Sequence, residues 1–176
     1  MNILNIEIKA WCENPEQIEN ILLEKKARYI GTDHQIDTYF HTTDGRLKLR
    51  EGNIETSLIQ YNRIETKGLK KSEVLLYKPQ GDVTILKDIL KRNLGVRTIV
   101  DKKRKIFFIE NVKFHLDDVK GLGKFLEIEA IDESLQVSED QLNAQCIKYI
   151  KLFKIREGDF IGKSYSDMIL EQKKPD

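Results

Sequence analysis

Carboxylate and cationic side chains recur at every second position in several short segments of this sequence. In "LNIEIKAW", Glu7 and Lys9 share one parity, and the residues on either side of them are apolar. The same spacing recurs in "FLEIEA", with Glu127 and Glu129, and in "GRLKLRE", with Arg46, Lys48 and Arg50. Carboxylate oxygens suit Mg²⁺ or Mn²⁺, whereas lysine and arginine suit phosphate oxygens. Together the two groups predict a site for a metal-bound polyphosphate.

Each of these segments, taken alone, fits the solvated face of an ordinary strand. Their recurrence favours a different arrangement. About eight antiparallel strands can close into a barrel, and helices with apolar stripes need an apolar surface to pack against. If the apolar parity faces those helices, the charged parity faces the lumen. Such a lumen must hold water, ions or a charged ligand, because an isolated buried charge costs several kcal/mol or more.

The helices that would cover the barrel have clear sequence signals. The first lies in "NPEQIENILLEKKA", with Asn14 as the expected N-cap and Pro15 at the first helical position. The second lies in "DVTILKDILKRNLG" after Asp82, and the residues expected on its inner face are Ile85, Leu86, Ile89 and Leu90. A third runs from Ser138 toward Phe153, and "SYSDMILEQ" predicts a short last helix.

Seven further segments, rich in aromatic and branched residues and separated by turn signals, predict strands beside "LNIEIKAW". These segments are "DTYFHT", "GRLKLRE", "TSLIQYNR", "SEVLLYK", "RKIFFIE", "VKFHLDDV" and "KFLEIEAI". The sequence therefore predicts an α+β fold, a closed eight-stranded antiparallel β-barrel with helices packed on its outside.

Composition limits the function classes. The chain has 176 residues, which fits one domain, placed here at residues 1–172 with a frayed tail at 173–176. The formal net charge is only +1, so no nucleic-acid partner is expected. Cys12 and Cys146 are too few for a disulfide framework, and no run of about 18 apolar residues occurs. We expect a reduced, cytoplasmic protein with no membrane partner, and the sequence leaves its oligomeric state open.

The ordered segments resemble those of the CYTH family, named for class IV adenylyl cyclases and thiamine triphosphatases and also called triphosphate tunnel enzymes. The matching pieces, between Glu7 and about Leu170, are "EIK", "DTYF", "LKLRE", "VKFHLDDVKGLGKFLEIE" and "SYSDMIL". The resemblance implies an eight-stranded antiparallel tunnel. It also implies that lysine and arginine bind a triphosphate and that acidic residues bind a divalent metal, Mg²⁺ or Mn²⁺.

By position, the resemblance gives individual residues a role. It implies metal binding by Glu7, Glu127 and Glu129. It implies phosphate contacts from Arg50, Arg63, Lys102 and Arg104, with Lys48 as a further contact. Asp117 stands where the family has a functional aspartate, and we expect it to act in catalysis. Lys9 matches the lysine of the opening motif, where it either contacts phosphate, takes part in proton transfer or forms an internal ion pair.

Two segments need the resemblance more than the others. In "DKKRKIFF" both parities carry cations, so composition leaves open an exposed basic patch, and the resemblance favours Lys102 and Arg104 on one inward face. Asn5 stands where the opening motif of the family has its first glutamate. An amide oxygen can ligate Mg²⁺ but carries no charge. We therefore expect altered or weaker metal binding, such as one ion where relatives hold two.

Two reactions and one non-enzymatic function fit the predicted site. A ribose 3′-hydroxyl attacking the α-phosphate of ATP gives cyclic AMP and pyrophosphate, whereas metal-activated water attacking the terminal phosphate hydrolyses ATP, tripolyphosphate or thiamine triphosphate. The alternative is a protein that binds a nucleotide or polyphosphate without turnover, and Asn5 is its support. We expect a metal-dependent enzyme of the cyclase-like or triphosphatase type.

Overall fold

The structure, a computed structural model, describes residues 2–63, 68–132 and 136–173, without the side chains of Asn2, Ile3 and Arg63. The strands of this part are β1 (Asn2–Trp11), β2 (Arg28–Phe40), β3 (Arg46–Glu51), β4 (Ser57–Arg63), β5 (Lys70–Tyr77), β6 (Val96–Ile109), β7 (Val112–Val119) and β8 (Gly123–Asp132). The helices are α1 (Pro15–Glu24), α2 (Thr84–Leu94), α3 (Glu139–Leu152) and α4 (Tyr165–Gln172), with a 3₁₀ turn at Glu157–Asp159. Residues 174–176 of the predicted tail lie outside the described residues.

The strands form a closed barrel in the order β1-β5-β4-β3-β2-β6-β7-β8, and every neighbouring pair is antiparallel. Lys9 of β1 faces Glu127 of β8, and Arg104 of β6 faces Asp117 of β7. The predicted fold is therefore confirmed. Closure of the barrel places charged residues from distant parts of the sequence directly opposite one another.

The apolar parity of β1 and β8 packs against α1 and α3 on the outside of the barrel. The buried residues of this contact are Ile6, Ile8, Leu126, Ile128 and Ala130 from the strands and Ile18, Leu22, Leu142 and Cys146 from the helices. Cys12 lies in the same cluster, and both cysteines are free thiols. Because the helices cover the apolar side, the charged side chains of these strands point into the lumen, as the alternation predicts.

Two helix starts can be compared with their predicted caps. At α1 the side chain of Asn14 accepts a hydrogen bond from the backbone N–H of Gln17 at 3.2 Å, as expected. At α2 the N-cap is Val83 instead of Asp82, although the Asp82 carboxylate accepts from the Thr84 N–H at 3.0 Å. In the part of the chain that the structure describes, no helix has the length and apolar character needed to cross a bilayer.

The predicted inner face of α2 is wrong for two of its four residues. Leu86 and Leu90 pack against the cluster around Leu49, but Ile85 is 70% exposed and Ile89 is 53% exposed. The helix packs with one edge of its apolar stripe against the barrel surface formed by Leu47, Leu49 and Leu58. The stripe of α2 is therefore wider than the surface that it covers.

Candidate active site

The barrel lumen contains a cavity of about 750 Å³, a size that holds an organic ligand. The predicted site residues that line it are Glu7, Lys9, Lys48, Arg50, Lys102, Arg104, Glu127 and Glu129. Asp117 lies behind Arg104 instead of lining the cavity. Arg63 ends β4, and its side chain is outside the described part of the chain. One cavity thus contains most of the residues that the sequence singles out.

The ambiguous basic segment is divided between the two faces of β6. Lys102 and Arg104 are each only 2% exposed and line the cavity. Lys103 is exposed, and Lys105 pairs with Glu19 of α1 at 2.7 Å on the outside. The alternative of an exposed basic patch therefore does not hold for Lys102 and Arg104.

Arg104 is the centre of the deepest charge cluster. Its Nε and Nη2 donate to the two carboxylate oxygens of Asp117 at 2.6 and 2.5 Å, and Nη2 also donates to Glu127 at 2.7 Å. The Tyr165 hydroxyl donates to Asp117 at 2.8 Å. Burial opposes the charge on Arg104, but the two carboxylates outweigh it and raise its pKa well above the ordinary value. Asp117 is placed to orient this guanidinium, and a direct catalytic role for it stays a prediction.

Lys9 lies beside the same cluster. Its ammonium is 3.1 Å from Glu127 and 3.8 Å from the centre of the Tyr165 ring. Burial opposes the charge of Glu127, but Lys9 and Arg104 together hold its pKa well below the ordinary value. The internal ion pair of Lys9 is thus present, while its contact with phosphate and its part in proton transfer remain predictions.

A second cluster surrounds Asp37, a β2 residue that the sequence analysis did not select. Its carboxylate accepts hydrogen bonds from Lys48 at 3.0 Å, from Lys102 at 2.7 Å, and from two nitrogens of Arg50 at 2.9 and 3.1 Å. Burial disfavours its charge, yet Arg50, Lys102 and Lys48 lower its pKa well below the ordinary value. One carboxylate therefore holds together three of the predicted phosphate-binding cations.

Lys102 is a cation of this cluster whose charged form is disfavoured by burial. Burial lowers its pKa to about 7, the neighbouring Arg50, Arg104 and Lys48 add to the effect, and Asp37 opposes it. An anion entering the cavity would favour the charged form of this ammonium. Lys102 is therefore a group whose charge responds to whether the cavity holds an anion.

Asp37→Asn is expected to destabilise the protein by roughly 3–5 kcal/mol at pH 7, because buried Arg50 and Lys102 and half-buried Lys48 lose a carboxylate partner. A carboxyl with a depressed folded pKa contributes its full stability above its unfolded pKa of 3.8 and loses it as the pH falls further. Urea unfolding should therefore show a large gap between the native protein and the variant at pH 7 that narrows below about pH 4. A constant gap across that range would contradict the prediction.

Glu55, on the loop after β3, places another carboxylate at one end of the lumen. It accepts from Lys113 at 2.5 Å and from Arg50 at 3.3 Å. Burial works against its ionisation, but Lys113 and Arg50 lower its pKa well below the ordinary value. Glu55 and Lys113 both line the cavity, so the charged lining extends from the deep cluster to this end.

The loop that carries Glu55 is fixed by Asp33, a fully buried residue of β2. The Asp33 carboxylate accepts from the backbone N–H groups of Ile54 and Glu55 at 2.9 and 3.0 Å and from the Gln35 amide at 2.8 Å. A Cβ at Gly52 would lie 2.7 Å from both Asp33 oxygens, so the chain needs glycine there. The position of Glu55 is thus built into the barrel.

Within the described ranges, His115, Glu127 and Glu129 form a group of potential metal ligands whose ligand atoms lie within 4.8 Å of one another. Burial lowers the pKa of His115 to about 3, so the imidazole is neutral, the form that binds metal. Burial raises the pKa of Glu129 to about 7; Glu127 and Glu7 add to this, and Lys113 opposes it. Crowded carboxylates beside a neutral imidazole suit a divalent cation. Glu7 faces Glu129 in the register and lines the same cavity.

Asn5 lies next to these ligands on β1. It lines the cavity and faces Ser72 of β5. The Asn5 amide oxygen and the Ser72 hydroxyl are both buried, and among the described residues neither has a hydrogen-bond partner. Buried polar atoms without partners are uncommon. Asn5 thus offers the cavity an oxygen that could accept a bond from a bound group.

At the opposite end of the lumen, two cations of the barrel bind the segment that leads into α4. Arg46, although it shares a face with Lys48 in sequence, donates to Asp167 of α4 at 2.6 Å. Lys70 donates to the backbone carbonyls of Ile161 and Gly162, both at 2.8 Å. These cations anchor the segment, whose Ser164 and Tyr165 line the cavity.

The sequence analysis passed over several charged and polar residues of the lumen, namely Asp37, Glu55, Lys113 and Tyr165. His115, on the strand of Asp117, is the one histidine that the sequence indicates for the tunnel lining, but its spacing does not predict the metal-ligand group in which the structure places it. For Lys113 and His115 a signal was available, because both share the parity of Asp117 in "VKFHLDDV". Asp37 opens the segment "DTYF" but was counted only as part of a strand. Glu55 lies in a loop and Tyr165 at a helix start, where no alternation points to the lumen.

A comparison with protein families matches this chain to the CYTH domain over residues 4–159. A curated protein of Methanocaldococcus jannaschii named "Putative adenylate cyclase" is 24% identical over 177 residues, which cover 94% of this chain and 98% of that protein.

Similar solved structures cover nearly the whole chain. The PH1012 protein of Pyrococcus horikoshii has a TM-score of 0.77 at 24% identity. The matched region covers 93% of this chain and 98% of the PH1012 chain. The HpAC1 protein of Hippeastrum, described as a "putative adenylyl cyclase" with a dominant triphosphatase activity, has a TM-score of 0.65 at 15% identity, with coverage of 99% and 98%. At these identities the structures establish a shared fold.

Proposed function

This chain belongs to the CYTH family, and from that premise we propose that it is a divalent-metal-dependent enzyme acting on a small-molecule triphosphate in the barrel lumen. The observation that carries the proposal is one cavity lined on adjacent strands by a cluster of cations and by a cluster of metal ligands. The cations are Lys9, Lys48, Arg50, Lys102, Arg104 and Lys113, and the ligands are Glu7, His115, Glu127 and Glu129.

The cations are suited to bind phosphate, because in this structure they already donate hydrogen bonds to carboxylates of the protein. Lys48, Arg50 and Lys102 converge on Asp37, and Lys113 converges on Glu55. Phosphate oxygens accept the same charge-assisted hydrogen bonds. A triphosphate can therefore share these donors without a rearrangement of the barrel.

The carboxylates Glu127 and Glu129, with His115 and Glu7 beside them, are the residues that would hold Mg²⁺ or Mn²⁺. Such an ion supplies charge neutralisation on the phosphate oxygens and activation of a nucleophile. The protein contributes position: Arg104 is locked by Asp117, and Arg50 and Lys102 are held by Asp37. Fixed cations of this kind stabilise charge that develops on a leaving phosphate.

The reaction itself is either cyclisation or hydrolysis. The adenylate cyclase name of the M. jannaschii relative supports the first, and the triphosphatase activity described for HpAC1 supports the second. Purified protein incubated with Mg²⁺ or Mn²⁺ and ATP, tripolyphosphate or thiamine triphosphate distinguishes them by assay of cyclic AMP, pyrophosphate and phosphate. We expect product only when a divalent metal is present. Clear tripolyphosphate binding with no product under any combination would leave a binding protein and reject the enzyme.

Asn5 is the residue that favours the binding-protein alternative, since it places a neutral amide among the ligands. Asn5→Glu is expected to strengthen Mn²⁺ binding about tenfold, because added ligand charge tightens binding of hard cations. Asn5→Gln is the matched control, because glutamine has the length of glutamate but no charge. This variant should leave the Mn²⁺ affinity unchanged. Isothermal titration with Mn²⁺ measures both. Equal affinities for the two variants would show that Asn5 lies outside the metal site.

A further inference from the structure

Tyr165, the first residue of α4, is not part of the barrel, yet its side chain lines the barrel cavity. The chain is attached to the barrel on both sides of this residue. Before it, Lys70 of β5 donates to two backbone carbonyls of the segment that leads into α4, both at 2.8 Å. After it, Asp167 accepts from Arg46 of β3 at 2.6 Å and from Arg97 of β6 at 3.0 Å. The start of α4 is thus held where its first side chain enters the lumen.

The hydroxyl of Tyr165 binds the carboxylate that orients Arg104. It donates to Oδ2 of Asp117 at 2.8 Å, and the same oxygen accepts from Nη2 of Arg104 at 2.5 Å. The other oxygen, Oδ1, accepts from Nε of Arg104 at 2.6 Å. All three residues are at most 5% exposed. Because Asp117 does not line the cavity, it acts on a ligand through Arg104.

The hydrogen bonds of Arg104 leave one end of its guanidinium for a ligand. Its bonds to Asp117 use Nε and Nη2, and its bond to Glu127 uses Nη2 again. Within the part of the chain that the structure describes, the two N–H groups of Nη1 have no protein acceptor and are available to an anion in the cavity. Their direction follows the guanidinium plane, which the two parallel bonds to Asp117 set. A carboxylate that is free to turn would let this plane turn with it.

The ring of Tyr165 is held separately from its hydroxyl. The Lys9 ammonium lies 3.8 Å from the centre of the ring, and the Phe125 ring lies 4.8 Å from it. Burial and the carboxylates of Asp117 and Glu127 raise the pKa of the hydroxyl well above its ordinary value, so it stays a neutral donor. Tyr165 therefore fixes Asp117 without adding a negative charge that would oppose a phosphate.

We propose that Tyr165 is a positioning residue of the triphosphate site, which fixes the carboxylate of Asp117 and thereby the direction in which Arg104 presents its N–H groups to phosphate. The inference rests on the proposed function and adds to it a residue from outside the barrel. It also makes the docking of α4 a condition for full activity, because the start of this helix brings the hydroxyl into the lumen.

The test is Tyr165→Phe, which removes the hydroxyl and keeps the ring beside Lys9. The assays use ATP, tripolyphosphate and thiamine triphosphate, each with Mg²⁺. For every substrate that the native protein turns over, kcat should fall about tenfold, because a cation that has lost its fixed direction stabilises the transition state less well. KM should stay within about twofold, since no charge of the lumen changes.

Tyr29→Phe is the matched control and should alter neither kcat nor KM. The hydroxyl of Tyr29 also forms one hydrogen bond of 2.8 Å, with Thr32, but Tyr29 is exposed and does not line the cavity. A second comparison asks whether the Tyr165 hydroxyl acts through Arg104. When Tyr165→Phe is added to Arg104→Lys, the further loss in kcat should be less than twofold, because the guanidinium that the hydroxyl positions is already gone.

Each other outcome has a definite meaning. Native kcat in Tyr165→Phe, a loss that comes entirely from a higher KM, or a further tenfold loss in the Arg104→Lys background overturns the inference while the proposed function stands. A Tyr165→Phe protein that fails to fold by circular dichroism also overturns it, because the hydroxyl would then serve the fold. Absence of turnover of every triphosphate by the native protein overturns the inference and the proposed function together.

Discussion

Arg104→Lys is expected to lower kcat/KM for triphosphate turnover by about 100-fold or more. Arg104 gives three hydrogen bonds to Asp117 and Glu127, and this fork fixes the guanidinium at the cavity surface. A lysine keeps one charge but cannot reproduce the fork, so the cation loses its fixed direction. Loss of one preorganised donor to a reacting anion typically costs about 100- to 1,000-fold in rate.

Lysine is a better test than alanine, because alanine would remove the buried cation that Asp117 and Glu127 share, at a cost of roughly 3–5 kcal/mol. Lys103→Gln, one residue away on the exposed face of β6, is the matched control and should keep full activity. Thermal unfolding verifies that both variants fold. A folded Arg104→Lys protein with native kcat/KM would remove Arg104 from the phosphate site.

The parts of the site that could be predicted from sequence are those where charged and apolar residues alternate cleanly. In β1 and β8, Ile6, Ile8 and Ile128 pack on the helices, while Glu7 and Glu127 face the lumen. Alternation has a period of two in every strand, so the parity of one buried apolar residue fixes the side of its neighbours. The charged lumen followed from that rule and from the need to cover the apolar face.

Where both faces of a strand are polar, the same rule gives no signal. The prediction placed strands at 37–42 and 104–110, but β2 and β6 extend over Arg28–Phe40 and Val96–Ile109. In the missing part of β2, Asp33 and Gln35 point inward, and His34 between them is exposed. A polar lumen removes the hydrophobic contrast on which strand prediction relies.

The partners of the cations could not be predicted for another reason. Asp37 contacts Lys102 between the paired strands β2 and β6, and the two residues are 65 positions apart in the sequence. Glu55 contacts Lys113, which is 58 positions away in the sequence. Such pairs depend on strand order and on the loop after β3, neither of which is encoded in local alternation. The sequence thus indicates most of the lumen cations that the structure describes but not which carboxylates pair with them.

Glu129→Gln is expected to reduce metal-dependent turnover by about 100-fold or more and to stabilise the fold at the same time. Glu129 belongs to the ligand group with Glu127 and His115, and a metal ion contributes several kcal/mol to phosphoryl transfer. The glutamine keeps the size of the side chain but removes the charge that the ion requires. Added Mn²⁺ at high concentration should restore part of the activity, because the remaining ligands still bind.

The stability of the same variant should change in the opposite direction. The folded pKa of Glu129 is about 7 against an ordinary value of 4.5, so its ionised form is disfavoured in the folded state above pH 7. In metal-free buffer at pH 8, Glu129→Gln should therefore raise the free energy of unfolding by roughly 1–3 kcal/mol. The gain should shrink as the pH falls from 7 toward 4.5, where the folded and unfolded carboxyls are both protonated.

These opposite signs separate a functional carboxylate from a structural one. A residue that merely supports the barrel would lose stability and activity together when its charge is removed. Glu73→Gln, an exposed substitution on β5, is the control and should alter neither quantity. Lower turnover with a higher midpoint of thermal unfolding would identify Glu129 as a group held at a cost to stability for its ligand. A destabilised Glu129→Gln protein would place this carboxylate among the structural ion pairs of the lumen.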